Sequence, residues 1–170
     1  MKFISYYNKI EDLDYLVKAQ VSEAIICPKL LSRFGTLSVE QTNEFAKILS
    51  LNNIRPILEW DILMTENVFS DVITQLKGVD FSLFKSIRLA DPGAINYILS
   101  NHPEIKIQLI LESGAYHNTN SLEVMKSLIG KQLSRIILSL ELNFEYLSEF
   151  IKNSNVEIEF LGLGRILLFY

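Results

Sequence analysis

The chain has 170 residues, of which 49% are hydrophobic and 21% are charged. This size and composition allow one ordinary globular domain and exclude disordered, collagen-like and low-complexity proteins. The formal net charge of -4 argues against general binding of nucleic acids or acidic membranes, and the single cysteine excludes an internal disulfide and a cysteine-rich metal or iron–sulfur site.

Seven short runs rich in Ile, Val, Leu, Phe and Tyr predict β-strands. In chain order they are residues 3–7, 23–27, 54–60, 84–90, 105–111, 134–140 and 156–163. Between consecutive strands, apolar residues recur at helical spacing, as Val68, Val72 and Leu76 do, and they predict six amphipathic helices. The sequence therefore predicts six strand–helix units followed by a seventh strand.

Residue types suited to helix ends lie near the predicted boundaries. Three pairs have the spacing of a capping box: Asn8 with Glu11, Ser38 with Gln41, and Asn120 with Glu123. Asp91 directly precedes Pro92, which suits an N-cap followed by the first helical residue. Gly78 and Gly130 follow helical stretches and suit left-handed C-caps.

Strict alternation of strands and helices predicts an α/β protein with a parallel sheet covered by helices. A doubly wound open sheet usually has a glycine-rich turn after its first strand, but residues 6–12 contain no glycine. We therefore predict a parallel TIM-type (β/α) barrel. The strand starts are about 25 residues apart, so eight units would need about 200 residues. We expect about seven strands of an incomplete barrel, with residues 1–170 forming a single barrel domain or the N-terminal fragment of one.

The last six residues, 165–170, form an apolar run, RILLFY. One interpretation is that the final barrel elements are missing from this chain. The alternative is that this run itself forms an eighth strand or a short closing helix.

The N-terminal residues lack the pattern of a signal peptide. The longest apolar stretches have about six residues, whereas a membrane-spanning helix needs about 20. We expect a cytoplasmic protein of bacterial type that has no membrane partner.

Functional residues of parallel barrels lie at the carboxyl ends of the strands. The candidate catalytic carboxylates there are Glu59, Glu112, Glu141 and Asp91, and the candidate ligand-binding residues are Arg88, Gly93, His117, Arg165 and Asp61. Carboxylates that converge at one rim can shift each other's pKa and act as acid and base. Arginines at the same rim can hold an anionic ligand in bidentate fashion.

Each candidate also has a simpler interpretation. Asp91 suits a helix cap, and Glu141 suits the positive end of the helix that follows it. Glu59 and Asp61 can be solvated loop charges. Cys27 is more often a small buried hydrophobe than a nucleophile.

Sequence motifs for well-known catalytic sites are absent from the chain. It contains no HExxH, no glycine-rich phosphate loop and no GxSxG. Because only two histidines are present, a metal hydrolase is the weakest hypothesis, and we predict neither a metal site nor a cofactor. Gly162 and Gly164 after the seventh strand suit either close approach to a ligand or a tight turn.

Residues 87–114 resemble peptidase family U-32, the collagenase-like proteases. That family has a DPG turn after a strand, here Asp91-Pro92-Gly93, and then a helix and a strand of the type P-x-I-x-I-x-L, here residues 103–109. Residues 134–143 are similar to the family pattern R-x-x-L-x-x-E-L-S, with Asn143 in place of the serine. Residues 156–165 correspond to V-E-x-E-x-F-x-H-G, with Leu163-Gly164 in place of the histidine and glycine.

The motifs of the family are matched over residues 80–170. In the first half of the chain, the resemblance is limited to the alternation of predicted strands and helices. It implies a TIM-type barrel at the N-terminal side of a larger protein, with Asp91, Gly93 and Glu141 as rim residues. Some similar proteins act in hydroxylation reactions and use iron–sulfur clusters that are bound by cysteines. Cys27 alone cannot bind such a cluster.

The sequence supports two main hypotheses about function. The first is a U-32 peptidase-like hydrolase that binds a peptide or other anionic ligand at the rim. The alternative is a non-catalytic barrel that binds a protein partner, or forms homo-oligomers, through open sheet edges. Convergence of the candidate side chains on one cavity would favour the first, and concentration-dependent association without a ligand would favour the second.

Overall fold

The computed structural model describes residues 2–111, 119–138, 144–160 and 162. Within them, seven strands form one parallel sheet whose spatial order is the chain order. The strands are β1 (Ile4–Tyr6), β2 (Glu23–Ile26), β3 (Arg55–Trp60), β4 (Ser86–Leu89), β5 (Lys106–Ile110), β6 (Leu133–Ile137) and β7 (Glu157–Glu159). The seven strand predictions are confirmed.

A helix connects each pair of consecutive strands, as the apolar stripes predicted. The helices are α1 (Leu13–Lys18), α2 (Val39–Leu51), α3 (Glu66–Leu76), α4 (Pro92–Asn101), α5 (Thr119–Ile129) and α6 (Phe144–Asn153). Short 3-10 turns occur at Ile10–Asp12, Phe81–Leu83 and Gly130–Gln132. No helix in the described ranges is both long and apolar enough to span a membrane.

Successive residues of a strand point to opposite faces of the sheet. On the outer face, buried apolar residues such as Leu58, Leu89 and Ile107 pack with helix residues such as Leu49 and Ile98 in the main hydrophobic core. The inner face carries buried polar and charged residues: Glu23, Glu59, Arg88, Gln108 and Arg135. It also carries a small apolar cluster of Ala90, Ile110 and Ile137 that is separate from the main core. The main core therefore lies between sheet and helices, and the inside of the curved sheet combines ionic and apolar contacts.

Ion pairs between distant strands show that the sheet is curled. Arg135 on β6 contacts Glu23 on β2, with 2.7 Å between Nη2 and Oε2. Arg88 on β4 contacts Glu159 on β7 at 2.5 Å, and Lys2 before β1 contacts Glu157 at the start of β7. A flat sheet in the observed strand order cannot bring these residues together. The predicted fold class, an incomplete parallel α/β barrel, is confirmed.

The predicted helix ends are confirmed in part. Ser38 and Gln41 form a reciprocal capping box, and Asp91 caps α4 with Pro92 in its first turn. Gly130 has a left-handed φ of 57°, whereas Gly78 does not adopt this conformation. The capping prediction for Asn8 is wrong, because its side chain accepts a hydrogen bond from the Cys27 N–H instead. Asn120 lies inside α5, which already begins at Thr119. The C-terminal run 165–170 lies outside the described residues.

Candidate functional site

A buried carboxyl group lies at the carboxyl ends of the first three strands. Glu59, the penultimate residue of β3, is only 4% exposed. Its Oε1 accepts a hydrogen bond from the Tyr6 hydroxyl at 3.1 Å. Its Oε2 accepts from the Cys27 thiol at 2.9 Å and from the Ser32 hydroxyl at 2.8 Å. Three neighbouring segments thus hold one carboxyl group in a fixed position.

The surroundings of Glu59 favour its protonated form. Burial raises the pKa of Glu59 above its ordinary value, and the nearby Asp61 carboxylate raises it further. Hydrogen bonds from Cys27 and Ser32, and the positive charge of Arg88, oppose this rise without cancelling it. Glu59 therefore retains its proton to a higher pH than an exposed glutamate does.

The two other acidic groups that contact Glu59 also resist ionisation. Burial, followed by the charge of Glu59, strongly raises the pKa of the Tyr6 hydroxyl and of the Cys27 thiol. Because the thiolate is the nucleophilic form of cysteine, Cys27 is a hydrogen-bond donor here and is poorly suited to nucleophilic attack. This agrees with the simpler interpretation of this residue.

The loop after β2 positions the Ser32 hydroxyl. Pro28 and Leu37 form an isolated parallel bridge that closes this loop. Gly35 lies against the same turn, and a Cβ at this position would be 2.2 Å from the Pro28 carbonyl oxygen. Because Gly35 has no side chain, the two backbone segments can approach closely here. The resulting turn directs the Ser32 hydroxyl toward Glu59.

Asp61 fixes the same loop from the other side. Its Oδ1 accepts from the Arg33 backbone N–H at 2.9 Å, and its Oδ2 is paired with Arg33 Nε at 2.8 Å. The Asp61 N–H in turn donates to the Leu31 carbonyl at 3.1 Å. Both carboxylate oxygens of this predicted ligand-binding residue are thus engaged within the loop.

Asp91, the N-cap residue of α4, accepts hydrogen bonds from two backbone N–H groups. Its Oδ1 accepts from the Ala94 N–H at 2.9 Å, and its Oδ2 accepts from the Met64 N–H at 3.1 Å. A Cβ on Gly93 would lie 3.0 Å from Asp91 Oδ1 and within 4 Å of Phe69. The predicted catalytic Asp91 thus occupies the cap geometry of its simpler interpretation, and Gly93 packs closely beside it.

Replacing Asp91 with alanine is expected to lower the free energy of unfolding by about 1 to 2 kcal/mol, because an N-cap bond is lost. Asp91→Asn keeps a capping oxygen and should lose less. Chemical denaturation of both variants and the wild type measures the difference. Equal stability of Asp91→Ala and the wild type would show that the cap contributes nothing.

Arg88 lies beside Glu59 on the inner face of the sheet, because the two residues are register partners on β4 and β3. Its Nε donates to Gln108 Oε1 at 3.2 Å, and its Nη2 is paired with Glu159. The structure thus brings together Glu59 and Arg88 among the predicted site residues. Asp91 is directed instead to backbone N–H groups, and Asp61 is directed to the backbone N–H and side chain of Arg33.

No cluster of three or more histidine, cysteine, aspartate or glutamate residues suited to a metal ion occurs within the ranges that the structure describes. The hydrogen-bond partners of Glu59 are the donors Tyr6, Cys27 and Ser32, and Asp61 is the nearby carboxylate that raises its pKa. The arrangement is suited to proton transfer and hydrogen bonding.

Comparison with known proteins decides the family. The family model for peptidase family U32 matches residues 10–170. The chain belongs to peptidase family U32. No curated protein matches this U32 chain by sequence.

Solved structures share the fold of this U32 chain. The structure of the U32 peptidase Mk0906 matches with a TM-score of 0.70 and 12% sequence identity, over 94% of this chain and 68% of that chain. Mutually generated monomers of dimeric phosphoribosylanthranilate isomerase from Thermotoga maritima match with a TM-score of 0.52 and 12% identity, over 95% and 86% of the two chains. At such identities the likeness supports the fold alone.

Four predicted site residues of the U32 chain lie outside the described residues: Glu112, His117, Glu141 and Arg165. Sequence reasoning missed the convergence of Tyr6, Cys27 and Ser32 on Glu59. The positions of Tyr6 and Cys27 at the ends of β1 and β2 were the available signal, since neighbouring parallel strands end at the same edge. Ser32 carries no such signal, because its position depends on how the loop folds back.

Proposed function

We propose that this U32 chain is part of a peptidase-like hydrolase that binds a peptide or other anionic ligand at the carboxyl ends of its strands. The observation that carries the proposal is the buried Glu59 carboxyl group with its three hydrogen-bond donors. An acid–base catalyst works best when its pKa lies near the operating pH. The raised pKa of Glu59 moves this carboxyl group in that direction.

Tyr6 connects the buried carboxyl group to the surface of the rim. The residue is 49% exposed, and its hydroxyl donates to Glu59 Oε1. In the proposed step, Glu59 starts as the carboxylate, and a water oxygen bonds to the peptide carbonyl carbon while the C=O π electrons move to the carbonyl oxygen. The water gives a proton to the Tyr6 oxygen while Tyr6 passes its own proton to Glu59. The proton returns by the same route to the leaving amine nitrogen as the C–N bond breaks.

Arg88 and the remaining rim residues complete the proposal. Arg88 places a positive charge beside Glu59 and favours an anionic ligand nearby. The remaining members of the proposed site are Asp61, Asp91, Gly93, Glu112, His117, Glu141 and Arg165. Family membership supports a hydrolase, and the polar rim supports a ligand that carries hydrogen-bonding or charged groups.

The test is hydrolysis of denatured collagen and of a mixed peptide library by the wild type, Glu59→Gln and Tyr6→Phe. Loss of an acid–base group typically costs about 100-fold or more in rate, so both variants should lose activity on that scale. Glu149→Gln makes the same chemical change at an exposed helix position and should keep wild-type activity.

Circular dichroism of each variant separates loss of chemistry from loss of folding. Full activity of folded Glu59→Gln would contradict the proposed role of the carboxyl group. Absence of hydrolysis by the wild type, together with concentration-dependent self-association in sedimentation, would instead favour the non-catalytic alternative.

A further inference from the structure

A cavity lies at the opposite end of the curled sheet from Glu59. It has a volume of about 310 Å³ and opens where the strands begin. Its lining includes Glu23, Arg55, Ser86 and Lys106, the first residues of β2, β3, β4 and β5. Small-molecule sites in proteins have volumes of about 300 to 1,000 Å³, so the cavity has room for a small ligand.

The lining of this cavity is strongly basic. Two carboxylates, Glu23 and Glu157, are outnumbered by five basic side chains, those of Lys2, Arg55, Lys85, Lys106 and Arg135. The chain as a whole carries a net charge of -4. The excess of positive charge is therefore a local property of this end of the sheet and not of the whole surface.

Ion pairs already account for three of the five basic groups. Arg135, which is buried, pairs with both Glu23 and Glu157. Arg55 pairs with the second oxygen of Glu23, and Lys2 pairs with the second oxygen of Glu157. These contacts fix the two carboxylates and leave them fully occupied by basic partners.

Lys85 and Lys106 carry the remaining positive charge. Lys85 directly precedes β4 and Lys106 begins the adjacent β5, and the Lys106 N–H donates to the Lys85 carbonyl at 3.0 Å. The Lys106 ammonium donates to the neutral carbonyl of Lys131 at 3.0 Å. Neither lysine makes an ion pair with a carboxylate of the described residues. Two cations at the mouth of a cavity without their own counter-charges attract an anion.

Neutral polar groups form the floor between these lysines and the buried ion pairs. Gln108 is 3% exposed and is held by Arg88, while its amide donates to the Ser86 hydroxyl oxygen at 3.0 Å. Ser86 thereby keeps its own hydroxyl hydrogen available to donate into the cavity. A donor held in this way suits the oxygen of an anion.

We propose that this cavity binds a small molecule with two or more negative charges, of the phosphate or polycarboxylate class. Lys85 and Lys106 supply the uncompensated charge, and Ser86 supplies a neutral hydrogen bond. Since the cavity lies at the other end of the strands from Glu59, the proposal is independent of the hydrolase activity proposed above.

The test is isothermal titration calorimetry of the whole chain with pyrophosphate and, separately, with citrate. Lys85→Gln/Lys106→Gln should bind the preferred probe at least tenfold more weakly than the wild type. Lys18→Gln/Lys47→Gln makes the same change in net charge at two exposed helix positions that do not line the cavity and should bind like the wild type. Preference for pyrophosphate or for citrate distinguishes the two ligand classes.

Three results would overturn the proposal. The first is that neither probe binds the wild type at millimolar concentration. The second is equal affinity in the wild type and Lys85→Gln/Lys106→Gln, and the third is an equal loss of affinity in both double variants. The last result would indicate a general effect of net charge. Thermal unfolding of the double variants without probe confirms that both are folded before the titrations are compared.

Discussion

Replacing Arg135 with methionine is expected to lower the free energy of unfolding by about 3 to 5 kcal/mol, the cost of removing one partner from a buried ion pair. Arg135 is 4% exposed, and its guanidinium contacts Glu23, Glu157 and Glu159. Methionine fills a similar volume but leaves three carboxylates with one cation fewer inside the curled sheet. Urea denaturation monitored by Trp60 fluorescence and by circular dichroism measures the change.

The matched control for this substitution is Lys126→Met. Lys126 pairs with Glu123 on the exposed side of α5 at i,i+3 spacing, and such pairs contribute about 0.5 kcal/mol or less. Arg135→Lys keeps the positive charge but loses the forked geometry of the guanidinium. Its loss of unfolding free energy should lie between those of Arg135→Met and Lys126→Met. A loss for Arg135→Met as small as that for Lys126→Met would show that the interior ion pairs do not hold the sheet.

The stability of the wild type is expected to fall relative to that of Glu59→Gln as the pH rises above the ordinary glutamate pKa. Because burial raises the pKa of Glu59 in the folded state, the folded protein binds more protons than the unfolded chain between the two pKa values. Stability contributed by protonated Glu59 is complete below the unfolded pKa and is lost as the pH approaches the folded pKa. For a single group the slope is at most about 1.4 kcal/mol per pH unit.

Denaturation curves of the wild type and Glu59→Gln at several pH values between 4 and 9 test this expectation. The difference between the two proteins isolates Glu59 from other titrating groups. Glu149→Gln, at an exposed position, should follow the wild-type curve at every pH. A difference between wild type and Glu59→Gln that stays constant with pH, or that changes with the opposite sign, would contradict a raised pKa of Glu59.

The fold could be predicted from the sequence because each helix has one apolar face and each strand is a short apolar run. The errors are at element ends: residues 84–90 were predicted as a strand, whereas β4 covers Ser86–Leu89. Apolar side chains continue beyond the last backbone pairing, so composition alone cannot place that boundary. Asn8 shows that helix caps are equally hard to predict. Its side chain has the spacing of a cap for the helix that follows, but it accepts a hydrogen bond from the Cys27 N–H instead.

The candidate site could be predicted less completely than the fold. Glu59 and Arg88 could be located because polar residues near the carboxyl end of a parallel strand have few other reasons to be there. The contact of Ser32 with Glu59 could not, because it depends on the Pro28–Leu37 bridge and the hydrogen bonds of Asp61. Tertiary contacts of this kind leave no regular spacing in the sequence.

The ion pairs of the interior illustrate the same limit. Charged residues at alternate positions, such as Glu157 and Glu159 on β7, indicate that one face of the strand is polar. The sequence does not show which residues these carboxylates contact, because the curvature of the sheet determines which strands face each other. Glu23 and Arg135 are 112 residues apart in the chain and meet only when the sheet has curled.

The agreement between spatial order and chain order has a consequence for how the protein forms. Every strand pairs with the one made just before it, so each new strand–helix unit can add to an existing edge as the chain leaves the ribosome. Contacts between neighbouring units are short in sequence and therefore favour rapid folding. The ion pairs Glu23–Arg135 and Lys2–Glu157 join residues 112 and 155 positions apart in the chain, and we expect them to form only after the sheet has grown to β6 and β7, respectively. Early units would then be held by their apolar contacts with the helices, and the charged interior would fix the curvature last.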